Sequence, residues 1–225
     1  MGNTILIVAG GSGARMNAEI PKQFISIAGK PILMHTIEKF HAADPSMHII
    51  VVLPEREFEE WNSLCLKYNF SISHEINRGG QTRFHSVKNG LALVRENGIV
   101  GIHDGVRPLV SKSLIRSCFA EAGVKGNTVP CVGLRDSIRA VQEGRNAVAD
   151  REGFVSIQTP QCFSAYVLKQ AYQAEYNSLF TDDATVVETT GEKINLVDGE
   201  HENIKITFPS DLLLAEAFLK SQNKL

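Results

Sequence analysis

The chain has no apolar run long enough to cross a bilayer: the longest, Ile5 to Ala9 and Ile49 to Leu53, hold about five residues, against the ~18 that a spanning helix needs. It has no block of five like charges, and 23 basic residues against 25 acidic ones leave a net charge of −2. Neither nucleic acid nor an anionic membrane is therefore an expected partner. The four cysteines, Cys65, Cys118, Cys131 and Cys162, stand 53, 13 and 31 residues apart, which suits neither a zinc site nor a disulfide framework, so they read as buried thiols of a reducing compartment. The seven histidines include no HExxH or other close metal spacing, and no protein-held metal is expected. A Gly-x-Ser-x-Gly elbow is absent, which removes the usual scaffold of a serine hydrolase. Trp61 and the eleven phenylalanines lack interleaved basic residues and read as packing, not as a base-stacking surface. The first residues show no charged-then-apolar signal pattern, and Leu6 stands where a myristoylation signal wants Ser or Thr; a cytoplasmic location is expected.

What is present is material for an ordinary core: 43% apolar and 21% charged residues over 225 positions, which at the usual ~150 per domain reads as a single domain spanning 1–225. Short β-branched runs alternate with helical periodicity, the pattern of crossover units on a mostly parallel sheet with helices on both faces, so the expected class is α/β. Strands are predicted at Thr4 to Ala9, His48 to Leu53, Ser71 to Ile76 and Ile99 to His103, each apolar or nearly so, as strands covered on both faces should be. Pro31 is placed at the first position of a helix reaching His41, with Ile32, Ile37 and Phe40 along one side. Phe84, Val87, Leu91 and Val94 define the buried stripe of a helix after Gly80, and Pro209 starts a last helix whose Leu212, Ala215 and Leu219 face one way. Asp136 to Gly153 breaks the rhythm. It is charge-rich, has Glu143-Gly144-Arg145-Asn146 at its middle and β-compatible flanks, and so reads as a β-hairpin arm. Such an arm is marginal alone, which makes packing on another subunit the expectation and a mobile loop the other reading.

The first strand runs into Ala9-Gly10-Gly11-Ser12-Gly13-Ala14-Arg15-Met16. Glycines let a backbone turn tightly and bring its N–H groups against an anion. Two common phosphate motifs do not fit: Pro31 follows Gly29-Lys30 where a P-loop needs Ser or Thr, and Met16 stands where the dinucleotide fingerprint needs glycine. What remains is a glycine loop with Arg15 at its exit and Lys22 seven residues later in Pro21-Lys22-Gln23. Two cations beside an amide nest suit a triphosphate, while a tight turn with solvated cations stays open. Gly79-Gly80 with Gln81, Arg83 and Ser86 forms a second candidate wall, or a helix cap alone. Asp104 and Arg107 follow the fourth strand at its carboxyl end, where open α/β sheets place ligands. They could hold a ribose hydroxyl or magnesium and an anion, or simply each other. Arg139, Arg145 and Arg151 lie on or beside the arm. Asn203 to Thr207 alternates like a late strand with Lys205 opposite Ile204 and Ile206. Thr181-Asp182-Asp183 reads as a helix cap.

Taken in order, AGGSGARM, PKQF, GGQTRFHSV, HDGVRP, QTPQCF, FTDDATVVE and NIKIT resemble the 2-C-methyl-D-erythritol 4-phosphate cytidylyltransferase family over nearly the whole chain. The resemblance implies a single Rossmann-like nucleotidyltransferase domain with the 136–153 arm building a homodimer. Its substrates would be CTP and a polyol phosphate, joined with release of pyrophosphate by in-line attack at the α-phosphorus. It implies that Arg15 and Lys22 bind the triphosphate and stabilise the transition state. Ala9, Gly10, Gly11, Ser12 and Gly13, with Gly80, Gln81 and Ser86, would hold the nucleotide. Asp104 would lie near the ribose and near Mg2+ carried mainly by the CTP phosphates. Arg107, Ser137, Arg151, Thr159, Thr181 and Lys205 would surround the methylerythritol phosphate, with Arg151 and Lys205 orienting it and Arg151 reaching the partner's site. Gln81 stands where the family often has an acid, and Ser137 where a threonine is usual. Ribitol 5-phosphate cytidylyltransferase, which shares the glycine loop and Pro-Lys-Gln, is the rival in the same class. A catalytically silent nucleotide-binding protein is the rival from another. FTDDATVVE favours the methylerythritol reading.

Overall fold

The computed structural model describes residues 2–11 and 20–222. In chain order its strands are β1 (Thr4–Val8), β2 (Ser26–Ile27), β3 (Lys30–Pro31), β4 (His48–Leu53), β5 (Glu75–Arg78), β6 (Ile99–Asp104), β7 (Asn127–Gly133), β8 (Ile138–Gln142), β9 (Arg145–Ala149), β10 (Val155–Ile157), β11 (Gln161–Ser164) and β12 (Leu196–Asp198). Its α-helices are α1 (Ile32–Ala43), α2 (Phe58–Lys67), α3 (Arg83–Leu91), α4 (Lys112–Lys125), α5 (Ala165–Ala171), α6 (Asp183–Glu188) and α7 (Pro209–Gln222). The main sheet runs β10-β7-β11-β6-β1-β4-β5, with β12 also on β7. β1 pairs in parallel with β4 and β6, and β4 with β5, whereas β11 runs antiparallel between β6 and β7.

Alternation along the central strands explains the layering, because successive side chains point to opposite faces. Ile5 and Ile7 of β1, with Ile49, Val51 and Leu53 of β4, pack with Ile37 and Phe40 of α1, Ile115 and Phe119 of α4 and the fully buried Trp61 of α2. Leu6, Ile50 and Val52 pack on the other face against Phe84, Val87 and Leu91 of α3 and Leu168 of α5. Helices thus cover both faces, and the α/β class read from the periodicity describes the fold. The predicted stripe of Phe84, Val87, Leu91 and Val94 is buried throughout. On α7, Ala215 and Leu219 are buried and Leu212 half-buried, in a third cluster with Ile27, Ile206 and Val106.

Five local expectations differ from the structure. The third strand begins at Glu75, not Ser71, and its residues are half-buried or exposed, because it pairs only with β4 at the sheet edge and so need not be apolar throughout. Pro31 precedes α1 and pairs with Ser26 in the small β2–β3 sheet. Ile32 joins the α7 cluster while Ile37 and Phe40 join the α1–α4 cluster, so α1 is buried on more than one side. Asn203–Thr207 forms no strand; the Ile206 amide instead bonds the Val106 carbonyl at 2.9 Å, a single tie that leaves Lys205 exposed and Ile206 buried. Of the cysteines, Cys118 and Cys162 are buried but Cys65 and Cys131 are only half-buried, and all four are free.

The arm is a hairpin. β8 and β9 pair only with each other, from Ile138↔Ala149 to Gln142↔Arg145. Glu143 and Gly144 make its two-residue turn with φ of 48° and 75°, the left-handed pair that matches strand twist and favours glycine in second place. Val141 and Val148 are 75% and 80% exposed.

Candidate active site

The carboxyl ends of β1, β4, β5 and β6 share one rim of the sheet, and β1 lies where strand order reverses direction between β4 and β6. Such a switch point opens a crevice outside the strand ends. Two cavities occupy it. The first, about 310 Å³, is lined by Ala9, Gly10, Gly11, Lys22, Gly80, Gln81, Ser86, Asp104 and Lys205 among others. The second, about 280 Å³, is lined by Asp104, Arg107, Thr159, Thr181 and Lys205, among others. Arg83, Asp104 and Lys205 belong to both, so the two chambers share a charged wall.

Local packing builds each side. A Cβ on Gly105 would sit 2.8 Å from the Ala9 Cβ, so only glycine lets β6 turn away this close to β1. At Gly80 a Cβ would meet the His85 Cβ at 2.4 Å. The Gly80 amide donates to Ser86 Oγ at 3.0 Å, and that hydroxyl donates to the Thr82 carbonyl at 3.0 Å. Ser86 therefore holds the loop in place, and Thr82 rather than a glycine caps α3. Gly10 and Gly11 have no described neighbour closer than 3.7 Å to such a Cβ; among the described residues packing does not demand glycine there, and the bare backbone widens the first cavity.

Asp104 is the electrostatic centre. Its Oδ2 lies 3.0 Å from Lys205 Nζ and 3.2 Å from Arg107 Nε, and its Oδ1 lies 3.7 Å from Arg83 Nε. Burial would push its carboxyl up, but Arg83, Lys205 and Arg107 outweigh that and hold it well below the usual carboxylate range. Asp104 and Arg107 thus do pair with each other, inside the cleft and not instead of it. Beneath them the Asp104 amide donates to Thr159 Oγ1 at 3.1 Å, and His103 Nδ1 lies 3.0 Å from the same oxygen. His103 Nε2 faces the Arg107 carbonyl at 3.2 Å, an acceptor, so Nε2 carries the proton and Thr159 donates to Nδ1. Burial lowers His103 to about 3. Arg107 Nη1 donates to the Asn203 carbonyl at 2.7 Å, and Asn203 Nδ2 donates to the Thr159 carbonyl at 2.9 Å, which ties down the segment carrying Lys205. Lys22 reaches the same segment, its Nζ 3.5 Å from the Ile206 carbonyl.

The structure therefore brings together Ala9, Gly10, Gly11, Lys22, Gly80, Gln81, Ser86, Asp104, Arg107, Thr159, Thr181 and Lys205. Ser12, Gly13 and Arg15 lie outside the described residues. Ser137 and Arg151 are exposed and line neither cavity; Arg151 Nη1 donates to the Arg135 carbonyl at 2.8 Å beside the arm. Asp182 caps α6 with a reciprocal bond to Thr185, as the cap reading of this run expects. Sequence reasoning gave no role to Gln23, Gln158 or Gln161, read Asp183 only as part of a helix cap, and named Arg83 only as part of a wall. Gln23 and Asp183 are fully buried, a state that nothing in a polar residue's identity announces.

Among the described residues no three His, Cys, Asp or Glu side chains group as a metal cage. Mg2+ commonly takes one or two carboxylates together with substrate phosphates and keeps several waters. Asp104, the carboxylate common to both chambers, fits such an ion as a neighbour and not as a dedicated ligand, since its oxygens are already taken up by Lys205, Arg107 and Arg83.

A switch-point cleft with two charged chambers on a mostly parallel sheet is the ligand-binding arrangement of an open α/β protein. Residues 4–221 match 2-C-methyl-D-erythritol 4-phosphate cytidylyltransferase, and the chain belongs to that family. It is similar to the enzymes of that name from Bacteroides fragilis, 51% identical over 97% of this chain and 100% of the relative, and from Phocaeicola vulgatus, 48% identical with the same coverage. Among solved structures it is similar to the cytidylyltransferase of Thermus thermophilus, 30% identical with a TM-score of 0.79 over 98% of this chain and 100% of that one. The 4-diphosphocytidyl-2C-methyl-D-erythritol synthase of Anaerococcus prevotii is 25% identical with a TM-score of 0.82 over 97% and 96%. Among the described residues no helix is long and apolar enough to cross a membrane.

Proposed function

We propose that the chain joins CTP to 2-C-methyl-D-erythritol 4-phosphate, giving the cytidine diphosphate derivative and pyrophosphate. One observation carries this reading: two adjoining cavities share Arg83, Asp104 and Lys205, the layout needed when a phosphate monoester must approach a triphosphate. The acceptor phosphate is already a nucleophile, so no side chain has to be activated to attack. Repulsion between the anions is the barrier, and fixed cations with in-line placement lower it.

In this reading the first cavity takes CTP, with Ala9, Gly10, Gly11, Gly80, Gln81 and Ser86 at the nucleoside and phosphates, joined by Ser12 and Gly13. Arg15 and Lys22 hold the triphosphate and offset the charge that grows at the α-phosphorus. The second takes the polyol phosphate, with Arg107, Thr159 and Thr181 as its walls and Lys205 orienting the phosphate at the seam. Magnesium brought by CTP would neutralise charge between the phosphates, with Asp104 beside it. The arm serves a homodimer in which Ser137 and Arg151 reach the partner's site; support comes from a hairpin that pairs with nothing else and exposes Val141 and Val148. Four free thiols suit a reducing cytoplasm.

Pyrophosphate release across CTP and UTP, each with methylerythritol phosphate and ribitol 5-phosphate, tests the assignment. Turnover is expected with CTP and methylerythritol phosphate. Preference for ribitol 5-phosphate, or CTP retention without pyrophosphate, would replace it.

A further inference from the structure

Arg83 opens α3, and its side chain crosses to α6, 100 residues further along the chain. Its Nη1 and Nη2 donate to the two oxygens of Asp183 at 2.7 and 2.6 Å. Asp183 is fully buried, and the Tyr172 hydroxyl donates to its Oδ1 at 2.7 Å. Above it the Gln161 carboxamide oxygen accepts the Asp183 and Ala184 amides at 3.1 and 3.0 Å. The carboxylate therefore cannot swing away, and neither can the guanidinium bound to it. With both terminal nitrogens committed in one direction, the remaining nitrogen, Nε, faces Asp104 Oδ1 at 3.7 Å.

Two features make this more than a structural ion pair. Arg83 lines both chambers and keeps 28% of its side chain exposed there, whereas Asp183 lines neither. The pair is also the only cation contact described for Asp104 Oδ1, the Lys205 and Arg107 contacts both falling on Oδ2. Rotation of the Asp104 carboxylate would carry Lys205 with it.

We propose that Arg83, locked from behind by Asp183 and Tyr172, is a positioning residue for the Asp104–Lys205 pair and so fixes the relative placement of the two substrates across the shared wall. This rests on the cytidylyl-transfer reading and deepens it. A guanidinium is required, because a fork makes two parallel bonds to one carboxylate and still presents Nε at a set angle, whereas an ammonium supplies charge without orientation. The acceptor side depends more on the arrangement, since Lys205 is the group that it aims.

Steady-state kinetics with both substrates varied, alongside thermal unfolding, separate this role from mere structural support. Arg83→Gln is expected to lower kcat by about 10²-fold, the scale for loss of one preorganised charged group, and to raise KM for the polyol phosphate more than KM for CTP. Arg83→Lys is expected to regain less than about a tenth of the lost activity, because charge without the fork does not aim Asp104. Tyr172→Phe keeps every charge and loosens the lock; it carries the test should Arg83→Gln fail to fold, and is expected to raise KM for the polyol phosphate about 3- to 10-fold, as loss of one hydrogen bond allows. Lys125→Gln, on the exposed face of α4, is the control and should match the parent. Lowered melting temperature with unchanged kcat and KM for the folded fraction would overturn the positioning role, as would full activity in Arg83→Lys. An inactive parent overturns the function and this inference together, whereas an active parent with parental Arg83 variants overturns this inference alone.

Discussion

The cleft and the arm are built on opposite principles. The charged groups at the centre of the cleft are each held by a residue distant in sequence: Arg107 by Asn203, Asp104 by Thr159, Arg83 by Asp183. The arm is held by itself, since β8 and β9 pair only with each other and Arg139 Nε donates to Asn146 Oδ1 across the hairpin. A group fixed by many distant contacts is preorganised for chemistry within its own subunit. A hairpin that pairs only with itself and exposes Val141 and Val148 is marginal alone, which is what the proposed homodimer would remedy.

This contrast can be broken most decisively at the triphosphate. Lys22→Ala and Arg15→Ala are each expected to lower turnover about 10²-fold or more while thermal unfolding stays near the parent's; activity within a few-fold of the parent in both would remove the cleft's claimed role. The arm is probed by mixing. After subunit exchange between Lys22→Ala and Arg151→Ala proteins, about one quarter of sites in a random equimolar mixture should receive both intact residues. Activity should recover to that level, whereas no recovery after verified exchange would return Arg151 to its own subunit or exclude it from the chemistry.

The smallest effect is in pH. His103 is lowered from 6.5 to about 3 by burial, so below 6.5 the unfolded chain binds a proton that the folded chain refuses. Stability from this group is complete above pH 6.5 and declines as pH falls towards about 3. Glu57, raised by burial, has the opposite sign: the folded chain binds its proton first, which favours folding on acidification. Denaturant midpoints between pH 7 and 4.5 for the parent and His103→Gln isolate the first group, and the variant should show the weaker loss on acidification. Equal slopes would mean that His103 titrates normally.

The central strands, the apolar faces of α3 and α7 and the hairpin were legible because each leaves a periodic trace over neighbouring residues. Glu143-Gly144 announced its turn through a local backbone need. The site residues were legible mainly through ordered motifs, and the structure explains which of them escaped. Arg83 sits inside a motif, yet its meaning depends on Asp183, 100 positions away, and no local pattern couples the two. Gln23 lies beside Lys22 and hides by being buried against Glu57, its Nε2 donating at 2.5 Å. Asn203–Thr207 misled for a related reason: alternation reported one exposed side chain between two inward ones, but a strand also requires a neighbour with free backbone groups, which composition does not reveal.

Beside the first cavity, the Gly79 amide is spent on the Leu53 carbonyl at 2.7 Å and the Gly80 amide on Ser86 Oγ. Of the two only Gly80 lines that cavity, and there the main chain has no N–H left to offer a visiting heterocycle. A pyrimidine bearing an exocyclic amino group asks for no donor at that point, while one with a keto oxygen there would find none. Letter-choice between two nearly identical rings would thus draw on Ser86 through the amide that it takes out of play.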